Sequence, residues 1–379
     1  MSDIEQSAGL TLDALFDAYF DCRRHKRNTL QQLEFETDLE RNMMDLWRDL
    51  QNGTYKIGRS IAFVVTRPKI REVWAANFRD RVVHHLIYNA IKRRFYNRFI
   101  RDSYACIPGR GSHDGCRRIA GFARSVTRNW TRPAYALKAD IANFFTSINR
   151  HTVLAQAERY IPEDWVRHLL RMVVLHDPRQ TAIFRSSPAL FDQVPRHKSL
   201  LHAPDGFGLP IGNLTSQFLA NVHLDALDQY AKHVLKAHYY GRYVDDIVIL
   251  HEDHRYLNIC YKEMESFLSG RFGLHLHPNK KKLHPAHQGI DFVGFIIKPG
   301  RIYLRHSSLQ RCRQIINDWE RRGAPTDDRA RLVKLGHSIT SYFGMLQQVD
   351  GFHARQSLCA HFQSLFIRSD PEYRKIIVP

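Results

Sequence analysis

Two spacings of apolar residues alternate along the chain. Leu12, Leu15, Phe16, Tyr19 and Phe20 recur three and four residues apart, the stripe of an amphipathic helix, and Thr11 suits its N-cap. A second helix is predicted over residues 35–50, closed by Asn52-Gly53. A third covers 79–99, with Val82, Val83, Leu86, Ile87, Ala90 and Ile91 on one face. His84 and His85 in this helix are adjacent, so they point to different faces and read as packing or surface residues. Between the helices lie short β-branched and aromatic runs. Residues 61–65 and 70–74 flank Thr66-Arg67-Pro68-Lys69 and read as a hairpin. Residues 135–140 read as a strand ending in Asp140. Residues 240–250 read as two buried arms around Val244-Asp245-Asp246, a hairpin with its acids at the tip. Helices follow over 152–175, 216–230 and 256–272. Residues 177–207 show no period and hold Pro178, Pro188, Pro195 and Pro204, so this excursion is expected to be functional or flexible. From Leu309 the chain turns helical, with Leu332, Leu335, Ile339, Tyr342, Phe343 and Leu346 on one face and Gly323-Ala324-Pro325 separating helices. Helices and strands mixed in this way predict an α+β protein.

The tip of the 240–250 hairpin changes the picture from fold to chemistry. Two adjacent carboxylates between apolar arms are costly unless something neutralises them, and a divalent cation is the natural counter-charge. Taken alone, Asp245-Asp246 also suits a solvated turn, since turns favour Asp. Asp140, at the end of another apolar strand, completes a set of three carboxylates. Three are what two Mg²⁺ ions need for in-line phosphoryl transfer.

Charge narrows the partners. The 379 residues carry a net charge of +18, which points to a polyanion, and nucleic acid fits better than a membrane because no polybasic amphipathic anchor stands out. No apolar run reaches the roughly 20 residues of a membrane span, so no membrane partner is expected. Basic residues gather at 23–27, at Lys92, Arg93, Arg94 and Arg98, and along 311–334; each group suits phosphate contact or a solvated helix end. The Pro108-Gly109-Arg110-Gly111 loop opens a helix at Ser112, a start whose N–H groups favour anions. Cys22, Cys106, Cys116, Cys260, Cys312 and Cys359 are scattered without a C-x-x-C pair, as in a reduced cytosolic protein. The polar, acidic stretch Met1–Gln6 gives no sign of a signal peptide, so a cytoplasmic location is expected.

Tyr243-Val244-Asp245-Asp246 in a hairpin, with Asp140-x-x-x-Phe144-Phe145 upstream, resembles the palm of a reverse transcriptase. His197-Lys198-Ser199-Leu200, the run from Gly208 to Gln217, and Ala220-Asn221 are similar to reverse transcriptases of diversity-generating retroelements, over roughly 12–356. The resemblance implies a right-hand polymerase. Its fingers with N-terminal helices would take 1–134. The palm, an antiparallel sheet backed by helices, would take 135–300, with 177–207 as an insertion loop. A helical thumb and C-terminal tail would take 301–379.

The same resemblance implies an RNA-directed DNA polymerase, bacterial or phage-encoded. It would make cDNA from a structured element RNA, with errors at template adenines, for diversity-generating retrohoming. Asp140, Asp245, Asp246 and the Ile141 carbonyl would hold two Mg²⁺, or Mn²⁺. Lys280 matches a lysine that protonates the leaving pyrophosphate, although Lys281 and Lys282 leave the register open and phosphate binding is the alternative. Arg71 matches the arginine on the incoming nucleotide, with Lys69 nearby. Phe145 sits at the steric gate that excludes a 2′-hydroxyl. Ile211, Gly212 and Gln217 belong to the nucleotide-binding motif; Ile211 stands where retroviral enzymes have Gln, and Gln217 where many relatives have Pro. The segment 289–295 resembles a primer grip. The implied partners are template RNA, the RNA/cDNA duplex, dNTPs and a basic accessory oligomeric protein. Alternatives are a defence-associated antiphage reverse transcriptase, a noncatalytic RNA-binding protein on a polymerase fold, and an RNA-dependent RNA polymerase, against which Phe145 speaks.

Overall fold

The computed structural model describes residues 10–24, 28–321, 329–362, 368–374 and 376–377. In chain order the elements are α1 (Leu12–Arg24), α2 (Leu30–Glu36), α3 (Leu39–Gln51), β1 (Ile61–Val65), β2 (Arg71–Ala75), α4 (Phe78–Tyr96), α5 (Ser112–Val126), β3 (Tyr135–Asp140), α6 (Phe144–Ser147), α7 (Arg150–Glu158) and α8 (Asp164–Leu175). Then come β4 (Ile183–Phe184), α9 (Pro188–Phe191), α10 (Leu214–Gln229), β5 (Tyr239–Tyr243), β6 (Asp246–His251), α11 (His254–Phe272), β7 (Lys282–Pro285), β8 (Ile290–Phe292), β9 (Phe295–Lys298) and β10 (Arg301–Leu304). The last are α12 (His306–Arg321), α13 (Arg329–Leu346), α14 (Phe352–Phe362), β11 (Arg368–Ser369) and β12 (Ile376–Ile377). The expected α+β class is what the structure has. No described helix is long and apolar enough to cross a membrane.

The chain divides into two compact units that interleave in sequence. The first holds the described residues up to 106, then 141–236 and 262–277. Here α1 packs on α4, and Thr11 accepts the Ala14 N–H at 3.1 Å as the N-cap. Phe218 of α10 meets the rings of Tyr88, Phe95, Tyr96 and Phe99, which line one face of α4 and its end. Burial of these rings, rather than helix propensity, fixes the pair. A three-stranded sheet runs in the order β2-β1-β4, with β4 parallel to β1.

The second unit holds 107–140, 237–261 and the described residues from 278 onward. Its main sheet runs β5-β6-β3-β7, all antiparallel. Val248, Ile249 and Leu250 of β6 and Ala136 and Leu137 of β3 are buried, so these central strands are apolar on both faces. Helix α5 packs against β5, where Phe122 lies 5.6 Å from the Tyr239 ring. A second sheet runs β10-β9-β8. Helix α13 buries Leu332, Leu335, Ile339, Phe343 and Leu346, the stripe expected of it apart from the half-buried Tyr342.

Two expectations are corrected, at 35–50 and at 301–304. The helix predicted over 35–50 is two helices, because Thr37 bends its hydroxyl back to the Leu33 carbonyl at 3.0 Å and Asp38 leaves helical geometry at φ −136. The excursion 177–207 holds short elements, β4 and α9 among them. Phe191, Leu200 and Ala203 pack with Ala62 and Trp74 of the β1–β2 hairpin, and Ile183 pairs with Ile61. Residues 301–304 form a strand paired with β9 before the terminal helices begin. The readings at Met1–Gln6, at 25–27 of the first basic run, at Arg322 and at Gly323-Ala324-Pro325 lie outside the described residues.

Candidate active site

Within the second unit, β5 and β6 turn over Val244 and Asp245. Val244 takes φ +54, a left-handed conformation that a β-branched residue rarely adopts. Arg242, fully buried, donates from Nη1 to the Val244 carbonyl at 2.9 Å and so braces the turn. Asp246 opens β6 directly opposite Asp140, the last residue of β3. Opposed residues on antiparallel strands bring their side chains to one face. Asp140, Asp245 and Asp246 are thereby gathered at one end of the sheet.

Cations crowd these acids. Lys280 Nζ lies 2.6 Å from Asp140 Oδ1. Lys138 Nζ lies 3.4 Å from Asp246 Oδ1 and 3.9 Å from Asp291 Oδ1. Arg305 donates to Asp291 from Nε at 3.1 Å. The compensation is incomplete. Burial pushes the Asp245 carboxyl up to about 6, and the neighbouring carboxylates of Asp140 and Asp246 push in the same direction. Asp246 is raised as well, by burial first and then by Asp140 and Asp291, against the pull of Lys138.

Among the described residues, no three His, Cys, Asp or Glu side chains converge closely enough to hold an ion as they stand. Asp140 and Asp246 each lie beside an ammonium, Lys280 and Lys138. The donor chemistry nevertheless fits a hard divalent cation, because all three side chains are carboxylates and burial and the neighbouring acids raise the Asp245 carboxyl against the pull of Lys280. Ile141 forms an antiparallel bridge with Leu276, and the next residue, Ala142, donates its N–H to the His275 carbonyl at 2.8 Å.

The first unit holds the remaining candidates. Lys69 and Arg71 are exposed, at the turn and the start of β2. The Trp74 N–H of β2 donates to the Ile211 carbonyl at 2.7 Å, and the Ala76 N–H donates to Asn213 Oδ1 at 3.0 Å. Gly212 takes φ +127, and a Cβ there would come within 2.9 Å of Val73 Cγ1, so the motif lies against β2 as only glycine permits. The Leu209 N–H donates to the Phe145 carbonyl at 2.8 Å. Phe144 is buried; Phe145 is half-buried, its ring 5.5 Å from that of Phe144. Backbone bonds therefore tie Phe145, Ile211 and β2 into one assembly. Gln217 is exposed, and its Oε1 accepts from the Cys106 thiol at 3.4 Å.

Four contributors escaped the sequence reading. Lys138 shared a legible signal, since period-two alternation puts it on the same face of β3 as Asp140. Asp291, on the separate β10-β9-β8 sheet, and Arg305, just after β10, meet the acids only through side-chain contacts remote in sequence. Glu72, buried on β2, accepts from Trp74 Nε1 at 3.1 Å and from the Leu200 N–H at 2.8 Å, which docks the 177–207 segment.

The family described as Reverse transcriptase (RNA-dependent DNA polymerase) matches residues 66–297, more than half of the chain. No curated protein matches. Among solved structures, the apo telomerase of Candida tropicalis truncated from its C-terminal domain is similar at 11% identity and a TM-score of 0.47, over 65% of this chain and 55% of that one. The apo telomerase of Candida tropicalis aligns at 10% identity and a TM-score of 0.47, over 68% and 49%. The telomerase of Candida albicans, in complex with a TWJ fragment of telomeric RNA, aligns at 11% identity and a TM-score of 0.47, over 81% and 55%. The chain spans about half the length of these telomerases.

Proposed function

Because the chain belongs to the reverse transcriptase family, we propose that it is an RNA-directed DNA polymerase that copies a structured element RNA into cDNA. The observation that carries this reading is the pairing of Asp140 with Asp246 across adjoining strands, beside an Asp245 whose charge is poorly compensated. A protein that only bound RNA would gain nothing from three clustered acids whose mutual repulsion destabilises it.

The reaction follows from the roles of the side chains. A primer 3′-hydroxyl attacks the α-phosphate of a dNTP, one P–O bond forms, and pyrophosphate leaves. Divalent cations held by Asp140, Asp245, Asp246 and the Ile141 carbonyl would supply charge neutralisation of the phosphates and a more acidic hydroxyl. Arg71 and Lys69 bind the triphosphate, the Arg fork matching phosphate oxygens. Phe145 occupies the space under the sugar and rejects a 2′-hydroxyl. Lys280 gives a proton to the departing pyrophosphate.

The finer reading is a diversity-generating retroelement enzyme, cytoplasmic and assisted by a basic accessory oligomer, with fingers over 1–134, palm over 135–300 and thumb over 301–379. Ile211 and Gln217 support it. An aliphatic Ile211 offers no amide to hold nucleotide and template in register, so mispairs are rejected less.

Asp245→Asn tests the assignment. With oligo(dT)-primed poly(A), dTTP and Mg²⁺, the unaltered protein extends the primer and the variant does not, while RNA affinity stays within about twofold because the phosphate-binding cations are untouched. Retained synthesis would refute the reading.

A further inference from the structure

The second unit contains a cavity of about 630 Å³, walled by the loop after α5, the β9–β10 hairpin and the segment after α13. None of its lining residues belongs to the acid cluster or to the lysines around it. Three cations reach it: Arg124 at the end of α5, Lys298 at the end of β9 and Arg301 at the start of β10. All three are exposed, and none makes an ion pair among the described residues. One acid shares the wall, Asp350, and its carboxylate is engaged by the Ile302 N–H at 3.1 Å. The last carbonyls of α5 add no negative end here, because the N–H groups of Thr127, Arg128 and Asn129 cap Ala123, Ser125 and Arg124.

The wall also carries an aromatic ring on an unusual backbone. Arg128, Asn129 and Trp130 are consecutive left-handed residues, at φ 48, 58 and 68. Such a run costs free energy and persists only where its surroundings over-determine it. The buried Thr127 does this, its hydroxyl donating to the Ala123 carbonyl at 2.6 Å and accepting from the Trp130 N–H at 2.8 Å. The result is a half-buried indole at the cavity wall whose Nε1 is buried without a hydrogen-bond partner. Gln347 and Gln348 also line the cavity; Gln347 Nε2 donates to the Arg374 carbonyl at 2.6 Å, which leaves its Oε1 and the Gln348 amide to meet a base edge.

Cations for a phosphate, a ring for stacking and amides for a base edge, in a cavity within the volume range of ligand sites, are the parts of a nucleotide pocket. We propose that this cavity holds one unpaired nucleotide of an RNA strand, with its phosphate against Arg124, Lys298 and Arg301 and its base on Trp130. That a nucleotide fits rests on the cavity alone; that an RNA strand supplies it rests on the polymerase reading above. The site gives the enzyme a grip on its RNA outside the acid cluster, at a single-stranded position where bases are free to stack.

The test measures binding of a fluorescein-labelled uridine octamer to the full chain by anisotropy over a series of salt concentrations. R124A/R301A removes two exposed cations of the cavity, and R41A/R48A on α3 is the charge-matched control. The cavity variant should weaken binding about tenfold and lower the salt slope by about one, whereas the control should change affinity less than about twofold. Trp130→Ala should weaken binding more than about fivefold, and Trp130→Phe, which keeps a stacking face, by much less. Extension of oligo(dT) on poly(A) should be unchanged in R41A/R48A, whereas the cavity variants should need more poly(A) to reach half-maximal rate and keep the same rate at saturation. Equal losses in the cavity and control variants would reduce the effect to general charge and overturn the proposal. Displacement of the octamer by 5′-UMP at stoichiometric concentration would assign the cavity to a free nucleotide and overturn it in favour of that ligand. Octamer binding by an unaltered protein that extends no primer would sink the polymerase reading and leave the cavity assignment standing.

Discussion

The ammonium of Lys280 rests 2.6 Å from Oδ1 of Asp140, across 140 residues of chain. Lys138 stands in the same relation to Asp246, at 3.4 Å. Two lysines thus supply part of the positive charge beside the carboxylates. If a divalent cation takes Asp140, as the proposed function requires, Lys280 would be left beside it with a proton to give, and the pairing would then serve the proposed delivery of an acid to the leaving group.

Lys280→Ala should therefore lower the rate of single-turnover incorporation by about two to four orders of magnitude, the range for loss of a general acid, with little change in dNTP affinity. The two lysines that follow should not behave alike. Lys281 Nζ is held by Asn258 Oδ1 at 2.8 Å and lies over the Tyr261 ring at 4.3 Å, and Lys282 is exposed on β7. Lys281→Ala and Lys282→Ala should each cost less than about tenfold. A loss at Lys281 equal to that at Lys280 would place the acid in the wrong register.

The Asp245 carboxyl gives a stability test that is independent of turnover. A carboxyl raised to about 6 by burial and like charge is ionised at pH 7.5 at a cost. The sign follows from proton counting. Between pH 3.8 and 6 the folded state binds more protons at this group than the unfolded state, so folding loses free energy as pH rises through that window. Above it the penalty is complete. Asp245→Asn removes the penalty, so without divalent cation the variant should melt higher than the unaltered protein, by up to about 3 kcal/mol in stability. Adding Mg²⁺ should reverse the order, because an ion that binds only the folded state stabilises it by mass action. Differential scanning calorimetry with and without Mg²⁺ decides; a variant that melts lower in both conditions would remove the assigned repulsion.

The acid hairpin was legible because its signal is local: an apolar arm closes on Tyr243, Ile-Val-Ile-Leu opens another at Ile247, and the acids lie at the turn between them. The opposition of Asp140 and Asp246 needed the register of β3 on β6, which no local pattern carries, although the resemblance implied it. The break at Thr37-Asp38 was hidden because Phe35, Met43 and Leu46 keep a helical spacing across it. The 177–207 segment was opaque for a different reason. It is held by isolated anchors, Phe191 and Leu200 on the β1–β2 hairpin and a backbone N–H on Glu72, and anchors that far apart impose no period. The resemblance supplied roles for Arg71, Phe145 and Ile211 that composition could not. The backbone bonds from Phe145 to Leu209 and from Ile211 to Trp74 show why such distant positions form one unit.

Ile211 is anchored by its carbonyl, which accepts the Trp74 N–H at 2.7 Å, so its side chain can be exchanged without moving the motif. Ile211→Gln restores an amide where retroviral enzymes have one. Sequencing of cDNA made on a defined RNA should show misincorporation concentrated opposite template adenine in the unaltered enzyme, and a drop of about tenfold in the variant, the scale of one hydrogen bond of discrimination. Errors that are rare or evenly spread in the unaltered enzyme would remove the adenine-diversifying reading and favour the defence-associated alternative. Fidelity unaffected by the substitution would detach Ile211 from it.

Two buried histidines of the first unit predict acid lability of the opposite sign to Asp245. Burial pushes His84 down to about 3 and His223 down to about 4. Each is bonded through Nδ1, His84 to Thr215 Oγ1 at 2.6 Å and His223 to Gln156 Oε1 at 2.6 Å. In the unfolded chain a histidine protonates below about 6.5, whereas in the folded protein these two stay neutral. Between those limits the unfolded state binds more protons, so stability is fully present above pH 6.5 and falls as the pH drops, by about 1.4 kcal/mol per pH unit for each group. Asp80 and Asp245, raised by burial, gain in the opposite direction as they protonate, so the net loss is steepest just below pH 6.5. His84→Gln separates the contributions. Whatever packing it loses is constant with pH, while the slope of stability against pH in urea melts should become shallower by the share of one histidine. An unchanged slope would mean that His84 takes up its proton in the folded state, and that the Thr215 contact does not keep it neutral.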